Sequence, residues 1–193
     1  GLQGLDAGLT GNYVLGADID ATSLAFTPIG NENSATVNTT NSFSGRFDGL
    51  GHSLTGLAPS STLANGLFAS MTGADVRNLH IIGGSFTGTT LVGALAGITE
   101  GNTRISNVTS SATVSAAGDA VAGVVTGGLV GRANGSGSIV GSSSSGNVNG
   151  GQTSSGLTGG LVGDFGMSGG QSGNSASGTI IGSARVGGLI GFY

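Results

Sequence analysis

Read from its sequence, the chain is all-β and winds as a single-stranded, right-handed parallel β-helix, a β-solenoid of roughly six coils with three short strands in each. A recurring phrase is the first sign. It reads Val92-Gly93-Ala94-Leu95-Ala96-Gly97, then Thr126-Gly127-Gly128-Leu129-Val130-Gly131, Thr158-Gly159-Gly160-Leu161-Val162-Gly163 and Val186-Gly187-Gly188-Leu189-Ile190-Gly191, with a degenerate copy at Asn65-Gly66-Leu67-Phe68-Ala69. The central leucines Leu67, Leu95, Leu129, Leu161 and Leu189 are spaced 28, 34, 32 and 28 residues apart, within the range of about 20 to 50 that marks stacked repeats. The second sign lies inside each period: Leu129, Ile139, Val148 and Leu161 follow at gaps of 10, 9 and 13 residues, and Leu95, Ile105, Val114 and Leu129 at 10, 9 and 15. The third is composition: 42 Gly in 193 residues, 7% charged residues and a positive mean hydropathy. Disorder goes with low hydrophobicity and high net charge, so this balance predicts an ordered, glycine-cornered β structure.

Tyr13, Val14, Leu15, Ile19, Leu24, Phe26 and Ile29 form an N-terminal apolar block, and Phe43, Phe47, Leu50, Leu54 and Leu57 form the next. Most aromatics, at positions 13, 26, 43, 47, 68 and 86, fall in this first half, which predicts wider coils, with residues 31–41 a polar loop between strands. Short apolar or β-branched segments between Gly, Ser, Thr and Asn clusters read as strands, and glycine supplies the positive φ of tight corners. The predicted core ladder is Leu67, Leu95, Leu129, Leu161 and Leu189 with Ile105, Ile139, Val114, Val148 and Ile180. In the last period Gln171 takes the Ile139 position and Ser172 that of Val140, while Ile180 still matches Val148. The chain stops just after a fifth strand phrase, leaving a coil edge that reads as either a fragment's end or a surface for another subunit. Nothing divides the sequence: residues 1–193 read as one domain, with irregular aromatic coils over 1–90 and the repeats over 91–193.

Five Arg, no Lys and nine acidic residues give a formal charge of −4 and a pI near 4.7, which argues against a nucleic-acid partner. The lack of Cys rules out disulfides and thiolate metal sites. No stretch approaches the roughly 20 apolar residues of a membrane span, so no membrane insertion is expected, and any signal peptide is already gone.

Candidate sites are sparse, and no cofactor is expected. Asp18 and Asp20 flank Ile19 and share a strand face. They are a weak candidate cation site, helped by Asn31, Glu32 and Asn33, against a plainer reading as turn-satisfying groups. Asp48, His52 and Ser53 sit in a Gly-rich turn without the arrangement a hydrolase needs, and His80 reads as outward-facing. Gly45-Arg46-Phe47-Asp48 is not an integrin tripeptide, since Phe47 intervenes. Asp75, Glu100, Asp119 and Asp164 are scattered over different periods. The Gly-Gly-Leu-Val-Gly phrase lacks the lysine and helix of a phosphate loop. Asn38-Thr39-Thr40 and Asn107-Val108-Thr109 match the glycosylation triplet, as chance alone often produces. If the leucines point inward, strand alternation puts Ala96, Val130, Val162 and Ile190 outward. They would then be an exposed self-association stripe, unless a corner turns them in.

Gly11-Asn12-Tyr13-Val14-Leu15 with Asp18-Ile19-Asp20, Thr27-Pro28-Ile29-Gly30, Phe43 through His52, Gly66-Leu67-Phe68 and Val76-Arg77-Asn78-Leu79 resemble the opening of a module of large secreted bacterial proteins. The later Gly-Gly-Leu-Val-Gly copies resemble the GLUG motif, found in filamentous-haemagglutinin-like adhesins and in non-catalytic parts of IgA-peptidase-like surface proteins. The resemblance implies a secreted β-helical stalk or adhesive segment without a catalytic site. The expected function is accordingly a non-catalytic adhesive rod at a bacterial surface or in a biofilm matrix. Its partners would be further copies of itself, surface glycans or other adhesin copies. A subunit of a filament built by end-to-end coil stacking is the alternative, and a carbohydrate-binding or polysaccharide-cleaving β-helix is a third reading.

Overall fold

The computed structural model describes residues 1–30, 41–59, 63–117, 123–152 and 154–193. It is a parallel β-solenoid of about five turns. Its strands fall into four sheets, numbered here in the order the chain meets them within a coil. Sheet I holds Phe68–Thr72, Ala96–Glu100, Val130–Gly135, Val162–Met167 and Ile190–Phe192. Sheet II begins with Asn12–Val14, Arg46–Asp48, Asp75–Ile82 and Arg104–Ser110, and continues as split strands through Ser138–Val140 and Gln171–Ser172. Sheet III holds Ser85–Gly88, Thr113–Ala116, Val148–Asn149 and Ile180–Ile181. Sheet IV holds Ala64–Asn65, Leu91–Val92, Val125–Gly127, Leu157–Gly159 and Arg185–Gly187. The pairings within each sheet are parallel.

The register follows the spacing of the leucines. Phe68, Ala96, Val130, Val162 and Ile190, each one residue after a central leucine, lie in one row. In the same register Ile139 pairs with Gln171, Val140 with Ser172 and Val148 with Ile180. The polar substitutions are accommodated by Asn174, which donates to the Ile139 carbonyl at 2.8 Å and to Gln171 Oε1 at 2.9 Å, and accepts from the Ser142 N–H at 2.8 Å.

The coil has four strand positions where three apolar landmarks per period predict three. The repeated phrase is the reason. Gly128-Leu129 is a corner between the sheet IV strand Val125–Gly127 and the sheet I strand Val130–Gly135. At this corner, alternation fails and two consecutive side chains turn inward: Leu129 and Val130 are both fully buried. That removes the exposed stripe. Ala96, Val130 and Val162 are buried in the main core, and Ile190 is partly buried against it. A side chain at the last glycine of the phrase has no room: a Cβ on Gly131 would press on the Gly97 carbonyl and the Val92 backbone, and one on Gly163 on the Gly131 and Thr126 carbonyls.

Leu67, Leu95, Leu129 and Leu161 are buried, as are Ile105, Ile139, Val114 and Val148. Leu189 and Ile180, in the last described coil, are only partly buried. In the early coils aromatics fill the interior: Phe43 stacks on Phe68 at 4.7 Å and Phe47 meets Phe68 edge-on at 6.0 Å. Val14, Leu24 and Leu50 of the predicted apolar blocks are exposed instead. Leu50 sits at a turn with φ 50°, where the Asp48 carboxylate accepts its N–H. One short 3-10 helix, Leu2–Gly8, lays Leu2 and Leu5 over the N-terminal coil.

Leu129→Ala is expected to cost about 2–5 kcal/mol through the cavity it leaves. Val130→Asp is expected to unfold the coil, because it buries an unpaired charge. Denaturant titration followed by circular dichroism checks both, and a Val130→Asp protein of native stability would contradict this packing.

Candidate functional site

The outer face of sheet II gathers Arg46, Asp48, Asp75, Arg77 and Arg104, five of the chain's fourteen charged side chains. In Asp75–Ile82, Val76, Leu79 and Ile81 are buried, leaving Arg77, Asn78 and His80 for the outer side. Two inward residues separated by two positions break simple alternation. The break is made by Asn78, at φ 52°, and in the next coil by Asn107, at φ 53°, a left-handed geometry that asparagine tolerates better than most residues. Asn107 Nδ2 donates to Asn78 Oδ1 at 2.9 Å, and Asn78 Nδ2 donates to Asp48 Oδ1 at 3.0 Å. This amide ladder bends the sheet at one level in successive coils. Gly141 and Gly173, at φ 59° and 64°, hold that level farther on.

Beside the ladder runs an ionic row. Arg46, Asp75 and Arg104 are register partners in three successive strands. Arg46 Nε donates to Asp75 Oδ2 at 3.1 Å, and Arg77 Nε donates to Asp48 Oδ2 at 2.7 Å, with Arg77 Nη1 3.8 Å from Asp75. Asp48 is almost buried. Arg77, the Leu50 N–H and Asn78 hold its carboxyl down to about 2, and Asp48 in turn raises the Arg77 guanidinium. Arg104 lies exposed at the end of the row.

A second patch on this sheet joins Asp18, His52, Ser53, His80 and Thr109. Asp18 Oδ1 accepts the Ser53 N–H at 2.8 Å and lies 3.2 Å from His52 Nδ1. The Ser53 N–H, the Ser53 hydroxyl and His52 lower the Asp18 carboxyl. Asp18 thus takes the Ser53 backbone N–H and faces the His52 ring, and among the described residues no hydrogen bond joins the Ser53 hydroxyl to His52, so the three do not form a nucleophile–base relay. His80 Nδ1 is 2.7 Å from Thr109 Oγ1, and the His80 backbone N–H donates to the His52 carbonyl. Asp20 is occupied separately, accepting the Thr22 N–H and hydroxyl, which lower its carboxyl.

Asp18 and Asp20 are therefore spent on local donors. Among the described residues no three His, Asp or Glu side chains come together as a metal site. Asn31, Glu32, Asn33, Asp119 and Asn38-Thr39-Thr40 lie outside the described residues. Asn107 uses its amide in the ladder, and Asp164 pairs with Arg132 at 2.9 Å. The ionic row was not read from the sequence. Its signal was there: Arg46 and Asp75, Asp48 and Arg77, and Asn78 and Asn107 all stand 29 residues apart.

A family model described as the M26 IgA1-specific metallo-endopeptidase N-terminal region matches residues 2–112. The chain belongs to that family. It is also similar in fold to the crystal structure of "a putative immunoglobulin A1 protease" from Bacteroides ovatus, with 18% identity and a TM-score of 0.62 over 98% of this chain and 68% of that one. The comparison with curated proteins finds no match.

The family match overturns the expected GLUG-repeat, haemagglutinin-like adhesin. With it go the non-catalytic adhesive rod, the filament subunit, the polysaccharide-directed β-helix and the placement outside enzymes. The Gly-Gly-Leu-Val-Gly copies carried the adhesin reading, but the corner's packing demands them, so they report coil geometry. A metallo-endopeptidase needs a metal on clustered side chains. His52 and His80 are the chain's two histidines, and the described donor set does not fit such a metal, so no step at a metal is assigned to these residues. Among the described residues no helix is long and apolar enough to cross a membrane.

The Asp48 network predicts acid sensitivity. An unfolded aspartate titrates near about 3.9, above the folded value of about 2. The network's contribution is therefore complete above about pH 4 and lost as pH falls toward about 2. Thermal unfolding against pH is expected to show this loss in the native chain. Asp48→Asn should melt lower above pH 4 and lack that component; an unchanged acid profile would contradict the assignment.

Proposed function

We propose that this chain is the substrate-engaging solenoid of an extracellular, IgA1-protease-like metallo-endopeptidase held at the bacterial surface. One observation supports this most: the charged face of sheet II, with Arg46, Asp48, Asp75, Arg77 and Arg104, lies wholly within the family-matched residues. A face whose backbone is clamped by parallel ladders above and below presents these groups at fixed spacing, so association loses little conformational freedom. The paired Arg46, Asp75 and Arg77 give directional complementarity, while exposed Arg104 supplies attraction that steers encounter. The face holds a protein substrate in register, and the chemistry belongs to residues elsewhere in such an enzyme.

The expected substrate is immunoglobulin A1, the protein named by both the family and the structural relative. Biolayer interferometry of the full chain on immobilised immunoglobulin A1 tests this. Binding is expected, weakened about tenfold by Arg104→Glu and further weakened as ionic strength rises from about 0.05 M to about 0.5 M. No binding, or binding indifferent to both changes, would overturn the proposal.

A further inference from the structure

A separate feature is the seam where sheets IV and I meet, which runs from the family-matched residues into the later coils. Two rows border this seam. On sheet IV, Leu91, Val125, Leu157 and Arg185 are successive register partners. On sheet I, Ile98, Arg132, Asp164 and Phe192 are. In the earlier coils the rows close on each other, and Ala64, Ala69, Leu91, Ile98 and Val125 form a small buried cluster apart from the main core. Farther along, the residues in the same rows become charged and the seam opens into a cavity of about 450 Å³.

Val125 and Leu157 give this cavity an apolar floor, and Arg132, Arg185, Ser154 and Ser155 give it polar walls. Two of the chain's five arginines thus converge in a molecule of net charge −4. Each is held by a contact that leaves donors over. Arg132 gives Nε to Asp164 Oδ2 at 2.9 Å, which orients its guanidinium and leaves both terminal nitrogens. Arg185 lies with its guanidinium carbon 4.4 Å from the centre of the Phe192 ring, a stacking that satisfies none of its N–H groups. Among the described residues these nitrogens and the hydroxyls of Ser154 and Ser155 have no hydrogen-bond partner. Asp164 offsets one of the two positive charges, so the cavity keeps one in excess.

We propose that this cavity binds a small organic carboxylate. The carboxylate sits between the Arg132 and Arg185 guanidiniums, whose planar forks match its two oxygens. The serine hydroxyls donate to it or to neighbouring oxygens of the ligand. The floor of Val125 and Leu157 takes the ligand's apolar side, which selects an organic acid over an inorganic anion. The volume, within the range of about 300–1,000 Å³ usual for ligand pockets, suits a body the size of a sugar acid or an acidic amino-acid residue.

The test is a titration of the ¹⁵N-labelled full chain, read at the arginine Nε–H resonances. The probes are glucuronate beside glucose, N-acetylglutamate N-methylamide beside N-acetylglutamine N-methylamide, and inorganic phosphate. At least one carboxylate is expected to shift Arg132 and Arg185 saturably while its neutral counterpart does not; the tighter of the two names the source. Arg185→Gln, at an exposed position, is expected to weaken that binding about tenfold while the core methyl resonances stay in place. The proposal is overturned if neither carboxylate shifts both arginines. It is equally overturned if the neutral counterparts or phosphate bind as well, or if Arg185→Gln leaves the affinity unchanged.

Discussion

Parallel stacking in register is the constraint on which the rest of this molecule depends. A coil cannot bury its own interior and must lie flat on the coil below. Lying flat requires backbone to approach backbone at the corners, where a Cβ has no space. Gly131 and Gly163 meet that requirement at the Leu-Val corner, and Gly137, whose Cβ would collide with the Thr103 carbonyl, meets it at the entrance to sheet II. Once the corners are set, each strand lies 27 to 35 residues from its partner, and chemistry repeated at that interval is brought side by side.

The charged face follows from the same rule. Arg46, Asp75 and Arg104 attract because they are consecutive rungs of one row, and the Asp48–Asn78–Asn107 ladder forms because Asn78 and Asn107 hold equivalent positions in successive coils and Asn78 follows Arg77, the register partner of Asp48. Surface ion pairs contribute little stability singly. Asp48 differs because it is nearly buried and accepts three donors. The value of the face lies in fixed geometry: a protein surface meeting it finds charges of known sign at strand spacing. The seam between sheets IV and I shows the same logic with different residues, since a row that is apolar in the early coils turns into arginine in the later ones.

Much of the fold was legible because stacking writes itself into sequence as a period. The leucine spacings gave the register, and the departures at Gln171 and Ser172 fell where the aligned period put them. What stayed hidden was local. Three landmarks suggested three strands, because a corner built from Gly-Gly-Leu looks like part of a strand when only apolar positions are counted. The same oversight left an outward reading of Val130 and Val162 open beside the inward one, and the corner turns two successive side chains inward. The charged face was missed for another reason. Its members are 29 residues apart and of opposite sign, so a search for like residues clustered in sequence passes over them. The family was misread because the most repetitive residues were given the most weight, and those residues serve the coil; the matched segment covers the less regular half.

The central claim, that sheet II is the face that meets the substrate, is tested most directly by arginine footprinting. The chain is treated with phenylglyoxal alone and with saturating immunoglobulin A1, and modification at each of the five arginines is read by mass spectrometry. The account predicts that Arg46 and Arg104 lose reactivity in the complex. Full reactivity at both, with immunoglobulin A1 present and saturating, would contradict it.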